Sequence, residues 1–208
     1  MCFSKEASIL SLLAGLCGSV LVYSLGEMFD KIIALFLGFV SLMQGVEFLL
    51  WSHQTCDSYH KNIAILGSYL NMFQPIALAI IVALINNRIQ YSGLLIIVTF
   101  AYSLYVWQYL AKYTSELQCT TPRKDNPHLV WNWLSLESNN TPWWIYVITL
   151  VCVALLGMPT ITQAISYSVT VIISLLITSL VYERQGVGSV WCYFAALTPI
   201  TYYIYIVK

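Results

Sequence analysis

Glu47 stands inside a long apolar run, with Gln44 three positions before it and Trp51 four positions after it. On a helix these spacings put Gln44, Glu47 and Trp51 on one face. A carboxyl group among apolar residues can carry a proton, hold a cation or pair with a polar neighbour. In hydrocarbon it costs at least ~2.5 kcal/mol, so it normally faces a bundle interior or a water path. A second apolar run places Asn71 and Gln74 together, and the following Pro75 frees a carbonyl one turn back because it has no N–H. Gln108 lies near the end of a third run. At 1.5 Å per residue, Glu47 and Gln108 are roughly 6 Å and about 5 Å deep from the same membrane face. Gln44, Glu47, Asn71 and Gln108 are therefore expected to meet in one half of the membrane, with Trp51 and Gln74 completing a substrate-binding set. Such a cluster would keep Glu47 protonated, since loss of water penalises the charged form. The competing reading is structural: amides between membrane helices serve as glue worth about 0.6 kcal/mol on average. Ser41 and Gly45 would add a small-residue packing edge beside Gln44.

Other reactive side chains offer less. His53, Cys56, Asp57 and His60 have spacing that could ligate zinc or serve a multi-histidine membrane hydrolase, yet no HxxxH or HExxH helix accompanies them. A solvated loop is the plainer expectation, with no metal and no cofactor. Cys17, Cys152 and Cys192 read as small apolar packing residues. Cys2 could be acylated or act as an N-terminal nucleophile, but that role needs a base and an oxyanion site, and neither can be located. No catalytic residue is assigned.

The elements that must carry these residues follow from composition. The chain has 208 residues, 59% of them hydrophobic and only 9% charged, against about 25% charged in soluble proteins. Disorder is excluded by 7 Trp, 15 Tyr and 8 Phe. Nine basic residues balanced by nine acidic ones provide no basic field for nucleic acid. An integral membrane protein remains.

Crossing the ~30 Å hydrocarbon core takes about 20 apolar residues in a helix. Seven runs qualify: 7–25, 32–51, 63–85, 93–111, 143–158, 160–181 and 189–207. Runs such as LLIIV at 94–98 and VIISLLI at 171–177 do not alternate, which excludes a β-barrel. The expected fold is all-α, a polytopic bundle of about seven helices forming a single transmembrane domain over 1–208. The first run is too long for a signal-peptide core and lacks a small-residue cleavage site. Pro159 and Thr160 demand a tight hairpin between the fifth and sixth spans. The longest connection, 112–142, carries Trp131 and Trp133, which suggest an interfacial anchor or a lid on the bundle, or simply an ordered loop with packed indoles. No span contains Lys, so a retinal Schiff base is excluded.

Let side A be the membrane face of the N-terminus and side B the other. Side A then holds Lys5, Lys61, Lys112, Arg123, Lys124 and Arg184, and side B holds Lys31, Arg88 and Lys208. This bias predicts a cytoplasmic N-terminus. Opposing it, Cys56 and Cys119 share side A and could pair in an oxidising lumen, and Asn139 begins an N-N-T sequon. Seventeen of the 18 charged residues fall outside the seven runs, and Glu47 is the exception.

Several positions also form short motifs: MCFS at 1–4, QxxExxxW at 44–51, QP at 74–75, HLxWxW at 128–133 and GSxWC at 188–192. Over nearly the whole chain these resemble a multi-pass membrane family, without assigned activity, of large DNA viruses of eukaryotes. Bacterial relatives of that family open on a similar M-C-[FW]-S. The resemblance implies a viral or virus-acquired protein of a host-cell or virion membrane. It singles out Cys2, Gln44, Glu47, Trp51, Gln74, Pro75, Trp131, Trp133, Trp191 and Cys192. Seven spans in this length also match the size of the triple-helix-bundle transporters, but Gln-Pro reverses their Pro-Gln signature and no internal repeat is evident. The expected function is small-solute or ion/proton transport or conduction with a polar site around Glu47. The alternatives are a non-catalytic viral component acting through lipids, other membrane proteins or self-association, and, third, a membrane-embedded hydrolase.

Overall fold

The chain is described by a computed structural model, which covers residues 4–86, 92–115, 119–120, 129, 131, 141–181 and 184–207. Its eight helices are α1 (Lys5–Ser24), α2 (Met28–Ser52), α3 (Ser58–Met72), α4 (Gln74–Ile85), α5 (Ser92–Ser115), α6 (Thr141–Gly157), α7 (Ile161–Val181) and α8 (Arg184–Val207). No strand occurs among the described residues. The all-α reading holds. Five helices, α1, α2, α5, α7 and α8, are long and apolar enough to cross a membrane. The third expected span is a pair, α3 and α4, bent by 49°, and α6 is a shorter apolar helix.

Local chemistry explains the ends. Ser4 caps α1, its Oγ accepting from the Ala7 N–H at 3.2 Å, and Asp57 caps α3 through the His60 N–H at 3.0 Å; both satisfy donors that a helix start leaves free. Gly26 turns the chain between α1 and α2 at φ 91°, a conformation that favours glycine. The tight hairpin between α6 and α7 is present. Thr160 Oγ1 accepts from the Gln163 N–H at 3.2 Å, while Asn86 donates to the Gly157 carbonyl at 2.9 Å and so closes the C-terminus of α6. The break at Phe73 follows from Pro75, which sits in the first turn of α4. There its missing N–H is harmless, whereas a continuous helix would drive its ring against the Asn71 carbonyl.

Helix α2 is the hub. Along its most apolar stretch 61% of residues are buried, against 33% or less in α1, α5, α7 and α8. It packs against α1, α3, α4 and α8, while α5, α6 and α7 complete the other side. Helix α1 reaches its neighbours through glycine: a Cβ on Gly18 would lie 2.5 Å from the Ile200 nitrogen. Leu129 and Trp131, from the long connection, are fully buried in the common core. Trp131 is thus a packed indole and not an anchor in the headgroup layer. Cys2, His128, Trp133 and Asn139 lie outside the described residues.

Candidate functional site

The break in the third span opens onto a buried polar cluster. Gln74, the first residue of α4, is fully buried. Its Oε1 accepts the hydroxyl of Tyr146 on α6, and its Nε2 faces Cys192 Sγ on α8 at 3.9 Å. Cys192 is fully buried and close enough to Glu47 for the two groups to interact electrostatically. Glu47 itself is fully buried on α2. Tyr102 of α5 donates to the Met72 carbonyl at 2.8 Å, satisfying an acceptor that the bend leaves without a helical donor.

Aromatic rings enclose these groups. Tyr146 stacks on Trp143 with centroids 6.4 Å apart and meets Trp191 edge-on at 6.5 Å. The Trp191 indole is fixed by donation to Ser174 Oγ at 2.9 Å. Tyr167 of α7 lies in the electrostatic range of Tyr146, and its buried hydroxyl has no hydrogen-bond partner among the described residues. Six helices therefore contribute a polar side chain to one interior region. A buried group with unused bonding capacity is uncommon in a settled core.

The sequence-derived set divides. Glu47 and Gln74 belong to the cluster, and Cys192 interacts with both. Gln44 is fully buried but turns to α1, accepting from Ser11 Oγ at 2.8 Å. That bond joins α2 to α1. Asn71 is buried in the last turn of α3. Trp51 is half-buried, and its indole nitrogen is enclosed without a hydrogen-bond partner among the described residues. Gln108 does not join the others: it is exposed on the outer face of α5, whose inward face is Tyr102, Val106, Tyr109 and Tyr113.

The residues missed were tyrosines. Tyr102, Tyr146 and Tyr167 counted as aromatic content, whereas their hydroxyls take part in the site. Asp30 was also missed, since the expected span began at 32; it lies in the first turn of α2, 8% exposed, and accepts from Tyr202 of α8 at 2.8 Å. Glu47 is therefore not the only buried carboxylate on α2. The signal was an aspartate two positions upstream of the apolar run.

On side A, the residues with zinc-like spacing are engaged in other contacts. Cys56 forms a disulfide with Cys119, their Cα atoms 5.7 Å apart. The His60 ring nitrogens face the carbonyl oxygens of His53 and Thr120. His53 pairs with Asp57 at 2.8 Å. The His60 backbone N–H, and then the His53 ring, hold the Asp57 carboxyl below its usual range. No three of the described His, Cys, Asp and Glu residues form a group able to hold a metal.

No protein-family model, curated protein or solved structure matches the chain. The fold and cluster define an integral, multi-pass, α-helical membrane protein.

Proposed function

We propose that this protein moves protons or small cations across its membrane, with Glu47 as the ion site and Gln74, Tyr146 and Cys192 as its polar surround. The observation that carries this reading is the complete burial of Glu47 within the electrostatic range of a polar cluster at the level where a helix breaks. Interrupted helices that meet polar residues in the bundle interior recur at transporter binding sites. A buried acidic group favours a cation over an anion, and nearby aromatic faces also attract positive charge. Gln44 is better read as glue, given its bond to Ser11. The disulfide takes Cys56 out of the side-A set that would favour a hydrolase. Kinship with the viral family, and with it a host-cell or virion location, is proposed on the five sequence motifs alone.

Orientation belongs to the same reading. Disulfides persist in oxidising compartments, so the Cys56–Cys119 bond supports an extracytoplasmic side A, with the N-terminus outside and the C-terminus in the cytoplasm. This reverses the orientation expected from the Lys and Arg distribution. The disulfide is given more weight because it is a specific covalent pairing, whereas the charge bias is only six against three.

The decisive experiment is proton uptake in vesicles reconstituted with purified protein, followed by an internal pH dye under an imposed gradient. Wild type should carry protons, and Glu47→Gln should lose at least about tenfold of the flux, since glutamine keeps the shape but cannot ionise. Equal flux in both would refute Glu47 as the site. An absence of cation or proton flux in the wild type would refute the function.

A further inference from the structure

His60 lies in the first turn of α3 with its side chain almost wholly enclosed, the residue being 1% exposed. Its Nδ1 is 2.6 Å from the carbonyl oxygen of His53. Its Nε2 is 2.8 Å from the carbonyl oxygen of Thr120. A carbonyl oxygen can only accept, and a neutral imidazole has one N–H. In either neutral tautomer one of these contacts would set lone pair against lone pair. Only the imidazolium donates to both.

The two acceptors belong to different parts of the chain. His53 ends α2, and Thr120 follows Cys119, whose disulfide to Cys56 joins the same two segments. We propose that His60 is a proton-dependent latch, clamping the Cys119–Thr120 segment onto the ends of α2 and α3 when it is protonated and releasing one contact when it is neutral. The latch stands whatever Glu47 does.

The surrounding charges are compatible with this arrangement. Asp57 accepts from the His60 backbone N–H through Oδ1 at 3.0 Å and faces His53 Nε2 through Oδ2 at 2.8 Å. Being held below the usual carboxylate range, it stays negative where histidine titrates and favours the imidazolium. On α3, Lys61 follows directly, and Tyr59 meets the His53 ring edge-on at 5.0 Å. On α5, which packs against α3, the last turns hold exposed Lys112 and buried Tyr113. Glu47 lies six residues before His53 on α2, about 9 Å along the axis. Histidine changes charge between about pH 5 and 8. The sign follows from the donors: both contacts are satisfied in the imidazolium, and one is lost when the ring gives up a proton.

Histidine-15N NMR on the full chain in nanodiscs, where only three His occur, tests the protonation state. His60 should show both ring nitrogens protonated at the acid end and lose one proton on titration. A neutral tautomer throughout the folded pH range would overturn the proposal. Hydrogen exchange, corrected for the intrinsic pH dependence, tests the clamp on the peptides containing residues 53–60 and 119–120. Their protection should fall by about tenfold or more between pH 5.5 and 7.5. That dependence should vanish in His60→Gln and persist in His53→Gln. Equal corrected protection at the two pH values in the wild type, or an unchanged profile in His60→Gln, would also overturn it. If His60→Gln does not fold, the two wild-type measurements decide.

Discussion

Replacing Gly18 by alanine isolates the close approach of α1 and α8. The added methyl would lie 2.5 Å from the Ile200 nitrogen and 3.0 Å from both Ile200 Cα and the Pro199 carbonyl carbon. Ordinary carbon contacts sit at about 3.5–4.0 Å, so the helices must separate by roughly 1 Å. All three obstructing atoms are backbone, and no rotamer change can relieve them. Overpacking of this kind costs about 1–3 kcal/mol, and removing a helical glycine returns about 0.5–1 kcal/mol. The expected net loss is about 1–2 kcal/mol. Gly93→Ala is the control, because nothing lies within 4 Å of its added methyl; its stability should be unchanged or raised. Unfolding in mixed micelles of rising SDS fraction, followed by tryptophan fluorescence, measures both. If Gly18→Ala matched or exceeded the wild type while Gly93→Ala behaved as expected, the α1–α8 contact described above would be wrong.

Glu47→Gln should abolish proton uptake in vesicles while leaving helix content by circular dichroism unchanged. Tyr146→Phe removes the donor to Gln74 Oε1, and an unpaired buried amide oxygen costs about 1–3 kcal/mol, which should be measurable by the same SDS titration. Removing the Cys56–Cys119 bond frees a loop of 63 residues, for which chain entropy gives about 4 kcal/mol as an upper value, since the enclosed helices stay inserted. A non-reducing gel should show faster migration of the wild type than of Cys56→Ser, and the difference should vanish after reduction. The His60 latch adds the hydrogen-exchange change described above.

The helices were legible because the bilayer imposes one simple requirement, a long apolar run, and the polar breaks around residues 26, 54, 88 and 159 mark their ends. Glu47 was legible for the same reason, as a charge where apolar residues are required. The inward faces were not. Around a membrane helix, lipid is as apolar as the core, so hydrophobicity does not separate the buried side from the exposed one. Gln108 shows the cost: a polar residue near the end of a span looked inward-facing, while the inner face of α5 was Tyr102, Tyr109 and Tyr113. The tyrosine partners were hidden because each lies on a different helix, as with Tyr146 and Gln74, 72 positions apart. Pro75 did announce the break, but not that Tyr102 would supply the donor to the Met72 carbonyl.

The shortness of α6 bears on the membrane itself. Its 17 residues extend about 25 Å at 1.5 Å per residue, against a hydrocarbon thickness of ~30 Å. Trp143 and Trp144 mark its side-A end, and at the other end Asn86 already occupies the Gly157 carbonyl. The hydrophobic mismatch of a few Å falls on one flank of the bundle, where thinning of the bilayer is the expected response. The protein should accordingly be most stable in short-chain lipids and should partition toward thinner membranes.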